Sequence, residues 1–357
     1  MWDKVGAKNW RRPLLLQADN FTPAARTPWG GRRLADGLKR ASGVAPGRVV
    51  GEAWEFSVEP DFPSGVEGGR LLDQVIRADP DAWLGRDVGE GSTALLVKLL
   101  DAADDLSVQI HPTDDDAALA DDESGKPEAW YILDATEGSG LYLGFRRGVE
   151  REDVERAIAS ERDVSELMHF VPVSTGNAFV IEPGTPHAVG SGVLLLEPQR
   201  VAPSKRGITY RYWDWNRRYD PEGRLDPNGK PRELHLQRAL DVTRWSGPRE
   251  AELLASIRRD LGAPDVAGVA KLEAMIGLDG PLRSRTFDIR RVAGTGEIDL
   301  PDATSIRSLT VLGGTLAIRH EAGQLEIPEG RTAALPACLS SVGLELAEAH
   351  AVLCELV

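Results

Sequence analysis

Two histidines, a glutamate and a glutamine, spread over three short stretches, could together hold a divalent metal. The first stretch, LSVQIHPTDD, opens at Leu106. Alternate residues of a strand face the same side, so Gln109 and His111 project together. The second, SGKPEAWYIL, sets Glu128 at the start of an apolar, aromatic strand. The third, VIEPGTPHAVGSGVLLLEPQ, ends a strand in a Pro-Gly turn and presents His187. Carried on neighbouring strands, two imidazoles, one carboxylate and one carboxamide oxygen form a donor set that suits zinc, with other divalent first-row metals open. A lone histidine on a strand is more often a satisfied structural residue, and Glu128 alone reads as a surface carboxylate. Spacing therefore leaves the structural reading as open as the metal one. In favour of the metal, His111 and His187 both adjoin turn residues at strand ends, where a barrel mouth would open.

A second constellation is cationic. After His187 the chain reads EPQRVAPSKRGITYRYWDWNRR, which contains Arg200, Lys205, Arg206, Arg211, Arg217 and Arg218. Arg211 lies in a strand-like run between Tyr210 and Tyr212, where a charge is costly unless it faces a polar cavity or a partner. Arg206, Arg217 and Arg218 lie in turn-like sequence and read as exposed, solvated charges. Lys98 interrupts the apolar run LLVKLL, and Lys126 stands two residues before Glu128. A metal with converging cations makes a site for an oxyanion or a phosphorylated substrate.

Strands must position these groups. Short apolar or alternating runs recur at Ala94 to Leu100, Trp130 to Leu133, Ala178 to Ile181, Gly192 to Leu196 and Ile208 to Trp213, each bounded by turn formers. Helical spacing is confined to a few segments. Arg70 to Leu84 places Leu72, Val75 and Ile76 on one face. Val149 to Phe170 places Val154, Ile158, Leu167 and Met168 so, as one or two amphipathic helices inserted between strands. Glu233 to Leu240 is a weaker candidate. A boundary falls at about residues 241 to 265, where the chain becomes charged and then rich in Gly, Ala and Pro. Beyond it, strand-like runs at Arg285 to Val292, Ile306 to Val311, Thr315 to Arg319, Ala333 to Leu335 and Ala351 to Val357 suggest a small antiparallel sandwich or barrel. Its histidines, His320 and His350, belong to no metal motif. The acidic stretch Asp114 to Glu123 reads as a solvated loop.

Composition narrows the class. A length of 357 residues predicts about two domains. The 42 Lys and Arg against 56 Asp and Glu give a formal charge of −14, which disfavours nucleic acid because that needs an extended basic surface. It does not disfavour one phosphate, since the local Coulomb term is screened beyond about 10 Å. No apolar stretch approaches the roughly 18 residues of a membrane span, and the run Leu14 to Leu16 is too short for a signal-peptide core. The two cysteines, Cys338 and Cys354, form no CxxC and read as small core residues in a reducing cytoplasm.

PGTPH resembles, in approximate form, the second cupin motif, in which a tight turn aims a histidine into a barrel. More broadly, the chain resembles the type I mannose-6-phosphate isomerases in their shorter bacterial form. The matching segments are TPWGGRRL, VGEAWEFS, LLVKLLDAADDLSVQIHP, GKPEAWYIL, EPGTPHAVGSGVLLLEPQ and TYRYWDW, in the expected order over most of the first 240 residues. The resemblance implies a mainly β fold of two cupin-type jelly-roll barrels, with a small helical insertion at about 146–170 in the first. Residues 1–240 would be the catalytic domain and 241–357 a C-terminal β-sandwich or degenerate cupin of structural role. It further implies one Zn2+ per chain, held by Gln109, His111, Glu128 and His187, and interconversion of mannose 6-phosphate and fructose 6-phosphate. Arg211 matches the family's catalytic arginine and Glu197 a carboxylate considered for proton transfer. Lys98, Ser107 and Lys126 fall at active-site positions, with Ser107 and Lys126 assigned to the phosphate. The segment from Gln199 to Thr209 departs from the pattern. It looks about four residues longer than in close bacterial relatives, has Arg200 in place of the usual amide, and leads into Arg211.

The expected partner is a phosphorylated hexose, with no nucleic acid and no membrane, in a cytoplasmic monomer or weak homo-oligomer. Two rival readings are another metal-dependent cupin enzyme, acting on a different sugar phosphate or as an oxygenase, and a non-catalytic sugar-phosphate binding protein.

Overall fold

Short runs closed by glycine, proline or small polar residues fold as antiparallel strands in the computed structural model, which describes residues 10–321 and 323–357. Residues 1–9, part of the opening segment read for a leader, lie outside the described residues. The protein is mainly β, and the expected runs become the strands Leu95–Asp101, Glu128–Ala135, Asn177–Ile181, Val193–Arg200 and Tyr210–Trp213. One six-stranded sheet has the order Arg258–Asp260, Asn177–Ile181, Glu128–Ala135, Val193–Arg200, Leu95–Asp101, Glu52–Phe56. A five-stranded sheet has the order Met168–Pro172, Gly140–Phe145, His187–Val189, Val108–Ile110, Tyr210–Trp213. The two sheets meet through one apolar cluster: Leu100, Trp130, Ile132, Phe179 and Leu195 from the first, Leu141, Leu143, Val171 and Val189 from the second.

The other face of the six-stranded sheet is apolar too. Ala129, Tyr131, Val180, Leu194 and Leu196 pack into one core with Met275, Ile276, Phe287, Val352 and Cys354 of the C-terminal sheet. A strand covered on both faces reads as a continuous apolar run, which is why LLVKLL and VLLLE lack alternation. Each buried Val, Leu, Ile, Met or Phe of this core stabilises the fold by about 1.5–3 kcal/mol relative to leaving it exposed.

Helix Leu72–Ala78 buries Leu72, Val75 and Ile76 as their spacing predicts. Helix Arg151–Ala159 buries Val154 and Ala157 between two strands of the five-stranded sheet. The helical expectation runs too far there. A 3-10 turn covers Val164–Leu167, and Met168 opens a strand. Helix Leu236–Val242 follows strand Tyr210–Trp213, the edge of the five-stranded sheet. The boundary expected at about residues 241 to 265 is not a plain linker, since its charged part carries helix Glu250–Ile257 and a strand, Arg258–Asp260, that pairs with Asn177–Phe179, before the Gly/Ala/Pro-rich run begins.

The C-terminal sheet has eight strands, one of them Leu14–Leu15 from the start of the described chain. Ile306 to Val311 and Thr315 to Arg319 are a single strand, Arg307–His320. Gly313 and Gly314 make a bulge in it where a turn was expected, and the register against Gly343–Leu356 shifts there. Gly314 has φ 68° and a Cβ would lie 2.3 Å from the Glu348 carbonyl oxygen, so only glycine fits. A buried Lys39–Glu55 ion pair of 2.5 Å, with Thr332 Oγ1 donating to Glu55 at 2.9 Å, ties this sheet to the first. Cys354 is buried, but Cys338 is exposed, contrary to expectation, because it sits in the turn after Thr332–Leu335. No helix among the described residues is long and apolar enough to cross a membrane.

Candidate active site

Strand register brings the chemistry to one cavity. On the five-stranded sheet His187 lies opposite Gln109, and Gln109 opposite Arg211. On the six-stranded sheet Glu128 lies opposite Gln199, Glu197 opposite Lys98, and Lys98 opposite Trp54. His111 follows directly on the strand Val108–Ile110. The Pro-Gly turn before His187 is pinned to it, because Gly184 N–H donates to the His111 carbonyl at 2.9 Å. That turn needs φ 84° at Gly184, a left-handed conformation suited to glycine.

His111 Nε2 lies 3.1 Å from Glu128 Oε1, and His187 Nε2 lies 3.7 Å from Glu128 Oε2. All three residues are buried and can offer ligand atoms within 4.8 Å of one another. Each Nδ1 faces a backbone carbonyl, Ile208 at 3.0 Å and Thr185 at 2.9 Å. A carbonyl only accepts, so Nδ1 carries the proton and Nε2 turns its lone pair toward Glu128. His111 Nε2 and Glu128 Oε2 have no hydrogen-bond partner. An imidazole lone pair and a carboxylate oxygen left without donors in one buried cluster are a poor arrangement without a cation, so the residues fit a metal. The Gln109 amide lies 3.4 Å from His187 Nε2, and a half-turn of that amide would present its oxygen to the same point.

Electrostatics agree with ligation. Burial, reinforced by the Lys126 charge, pushes His111 down to about 3, and burial also lowers His187. Burial alone would raise Glu128, but neighbouring positive charge, with Lys126 at 3.1 Å, outweighs it and holds the carboxyl well below its usual range. Neutral imidazoles and an ionised carboxylate are the forms that bind metals.

Glu197 is the contrasting carboxyl. Its Oε1 accepts from Trp130 Nε1 at 2.9 Å and its Oε2 from Gln199 Nε2 at 2.7 Å. Burial and the nearby Glu128 charge push it up to about 8, and Lys98, at 3.8 Å, does not offset them. Lys98 itself is raised, since Glu52, Glu197 and Glu128 outweigh its burial. Lys126 Nζ lies 3.1 Å from Glu128 Oε1. These groups, with Ser107, Gln109 and Arg211, line a cavity of about 320 Å3. Arg211 donates from Nη1 to the Glu233 carbonyl at 2.8 Å, while its Nε has no partner. Burial and the adjacent Arg232 hold Arg211 down to about 10, so it stays protonated at neutral pH. Two larger clefts, about 730 Å3 beside Arg33 and His350 and about 680 Å3 beside Lys271 and Arg291, gather no comparable ligand cluster among the described residues.

Every residue singled out from the sequence for this site borders the cavity or its metal cluster. Arg211, which follows the segment from Gln199 to Thr209, lines the cavity with the others. Other cations lie elsewhere: Arg200 pairs with Asp114, and Arg206 with Asp122 at 3.1 Å. Arg217 is not a solvated charge. It is largely buried between Asp214 at 2.7 Å and Asp104 at 2.9 Å. The acidic stretch is likewise tied down, Asp114 accepting from Ser124 Oγ at 3.0 Å and Gly125 N–H at 2.9 Å. Sequence reasoning missed Gln199, Trp130, Glu52, Glu59, Arg26 and Arg232. Gln199 carried a signal, being two residues from Glu197 on the same strand face. Arg232 carried none.

Facing antiparallel sheets that gather a buried His–Glu–His cluster beside a cationic, carboxylate-bearing cavity define a cupin-like enzyme built for a small anionic substrate. Residues 24–137 match the family model described as phosphomannose isomerase type I, catalytic domain. The protein named probable mannose-6-phosphate isomerase GmuF of Bacillus subtilis is 30% identical over 323 residues, covering 89% of this chain and 92% of that one. The solved mannose 6-phosphate isomerase of Bacillus subtilis superposes with a TM-score of 0.76 at 24% identity, over 96% of this chain and 99% of that one. A zinc-bound holo mannose 6-phosphate isomerase has the same fold, with a TM-score of 0.66 at 16% identity over 96% and 99% of the two chains. The chain belongs to the type I phosphomannose isomerase family. Its activity is accordingly mannose-6-phosphate isomerisation, on a phosphorylated sugar.

Proposed function

We propose that the chain interconverts mannose 6-phosphate and fructose 6-phosphate through an enediolate, with one zinc ion held by His111, Glu128, His187 and Gln109. The observation that carries this reading is the unpartnered His111 Nε2 facing Glu128 in a buried, three-residue ligand cluster beside Glu197. Bound zinc would polarise the sugar oxygens and so acidify the C–H beside the carbonyl. Glu197 moves the proton between C2 and C1. Its value of about 8 lets it take and return a proton near neutral pH. Trp130 and Gln199 hold that carboxyl in place. Arg211 keeps its proton and stabilises negative charge on the enediolate. Ser107 and Lys126 hold the phosphate, with Lys98 lending charge to the same cavity and Lys126 also serving as a cation beside the reacting atoms.

The same reading makes residues 1–240 the catalytic portion and 241–357 structural, in a cytoplasmic monomer or weak homo-oligomer. The test is a coupled isomerase assay before and after chelation, with zinc added back. Turnover should vanish on chelation and return with zinc. Full turnover from metal-free protein would overturn the zinc assignment.

A further inference from the structure

Gln199 touches both carboxylates of the site. Its Nε2 donates to Glu128 Oε1 at 2.6 Å and to Glu197 Oε2 at 2.7 Å. The side chain is buried, and strand register sets it directly opposite Glu128 while alternation sets it on the face of Glu197. Glu128 and Glu197 are both buried, and two acid groups so close need a donor between them. An amide supplies two hydrogens from one nitrogen without adding charge, whereas a hydroxyl supplies one and a lysine or arginine would bring a cation.

We propose that Gln199 is the positioning residue that couples the metal ligand Glu128 to the proton-transferring Glu197. With Lys126, at 3.1 Å, it occupies Glu128 Oε1 and leaves Oε2 unpartnered for ligation. It also shares with Trp130 the orientation of Glu197, whose two oxygens are held by one donor each. This rests on the roles assigned above to Glu128 and Glu197. Partners that orient metal ligands are worth about 10–100-fold in affinity or activity.

The test uses the full-length, zinc-loaded enzyme. Gln199→Met keeps the length of the side chain and removes both donors. It should lower kcat by about 10–100-fold, leave KM for mannose 6-phosphate unchanged, and speed loss of zinc to a chromophoric chelator by a similar factor. Gln199→Asn, an amide one methylene shorter, should fall between the two and carries the same test if Gln199→Met does not fold. A lowered melting temperature with wild-type kcat and wild-type zinc release would mark a merely structural side chain and overturn the proposal. A change in KM alone would mark a substrate contact and overturn it equally. If wild-type turnover ignores chelation, the zinc reading fails and this inference with it. A chelator-sensitive wild type beside an unaltered Gln199→Met overturns the inference alone.

Discussion

His187 and His350 are both buried on antiparallel sheets of one chain, yet their ring nitrogens are used differently. His187 ties Nδ1 to the Thr185 carbonyl at 2.9 Å and turns Nε2 toward Glu128 at 3.7 Å. His350, on the C-terminal sheet, spends its Nε2 on the Tyr131 hydroxyl at 3.2 Å. The C-terminal half does contain unpartnered buried atoms, at Arg307 and Ser308. They do not converge with other ligating groups, whereas His111, Glu128 and His187 do. A site is made by unsatisfied atoms aimed at one point. Buried polarity alone makes only a fold.

Three experiments bear on that contrast. The largest effect belongs to the first half: Arg211→Ala should cut turnover about 100- to 1,000-fold, the loss typical of one electrostatic donor, with metal content unchanged. Near-normal turnover in the coupled assay would remove Arg211 from the reaction. A smaller effect, on stability alone, belongs to the junction of the halves. Tyr131→Phe leaves the His350 nitrogen without its partner and should cost about 1–3 kcal/mol in urea denaturation, with turnover retained. Lost turnover in a folded Tyr131→Phe variant would mean that the outer face of this sheet is not separate from the site.

The third effect is a change of slope with pH. Burial, and then the Arg291 charge, lowers His350 from 6.5 to about 4. Between those values the unfolded chain binds a proton that the folded chain excludes, so stability is full above the upper value and falls as the pH drops. His350→Gln should flatten this fall in urea midpoints measured across the window. The slope will not vanish, because His111, at about 3, contributes in the same direction. An unchanged slope would show that His350 gains no proton on unfolding.

Much of the site was legible because its signals are local. Gln109 and His111 share a face by alternation, Glu128 opens its strand, and a Pro-Gly turn precedes His187. Arg211 stood out as a charge in a strand. Misreadings came where a local pattern has two physical outcomes. Gly313-Gly314 serves a bulge as well as a turn, and the charged part of the stretch expected to be a boundary, Arg258–Asp260, pairs back onto the first sheet. Arg217 looked solvated because Asp104, one of its partners, lies 113 residues away in the chain.

The sequence by itself determined the donor types, the strands that carry them and the alternation that sets which side each faces. These depend on neighbours within a few positions, where backbone geometry is the governing constraint. Tertiary structure alone decided which polar atoms are paired and which are left to a ligand. Gln199 meets Glu128 across 71 residues of chain, and His187 meets Gln109 across 78. Register between distant strands settles such contacts, and burial then makes each unpaired atom count.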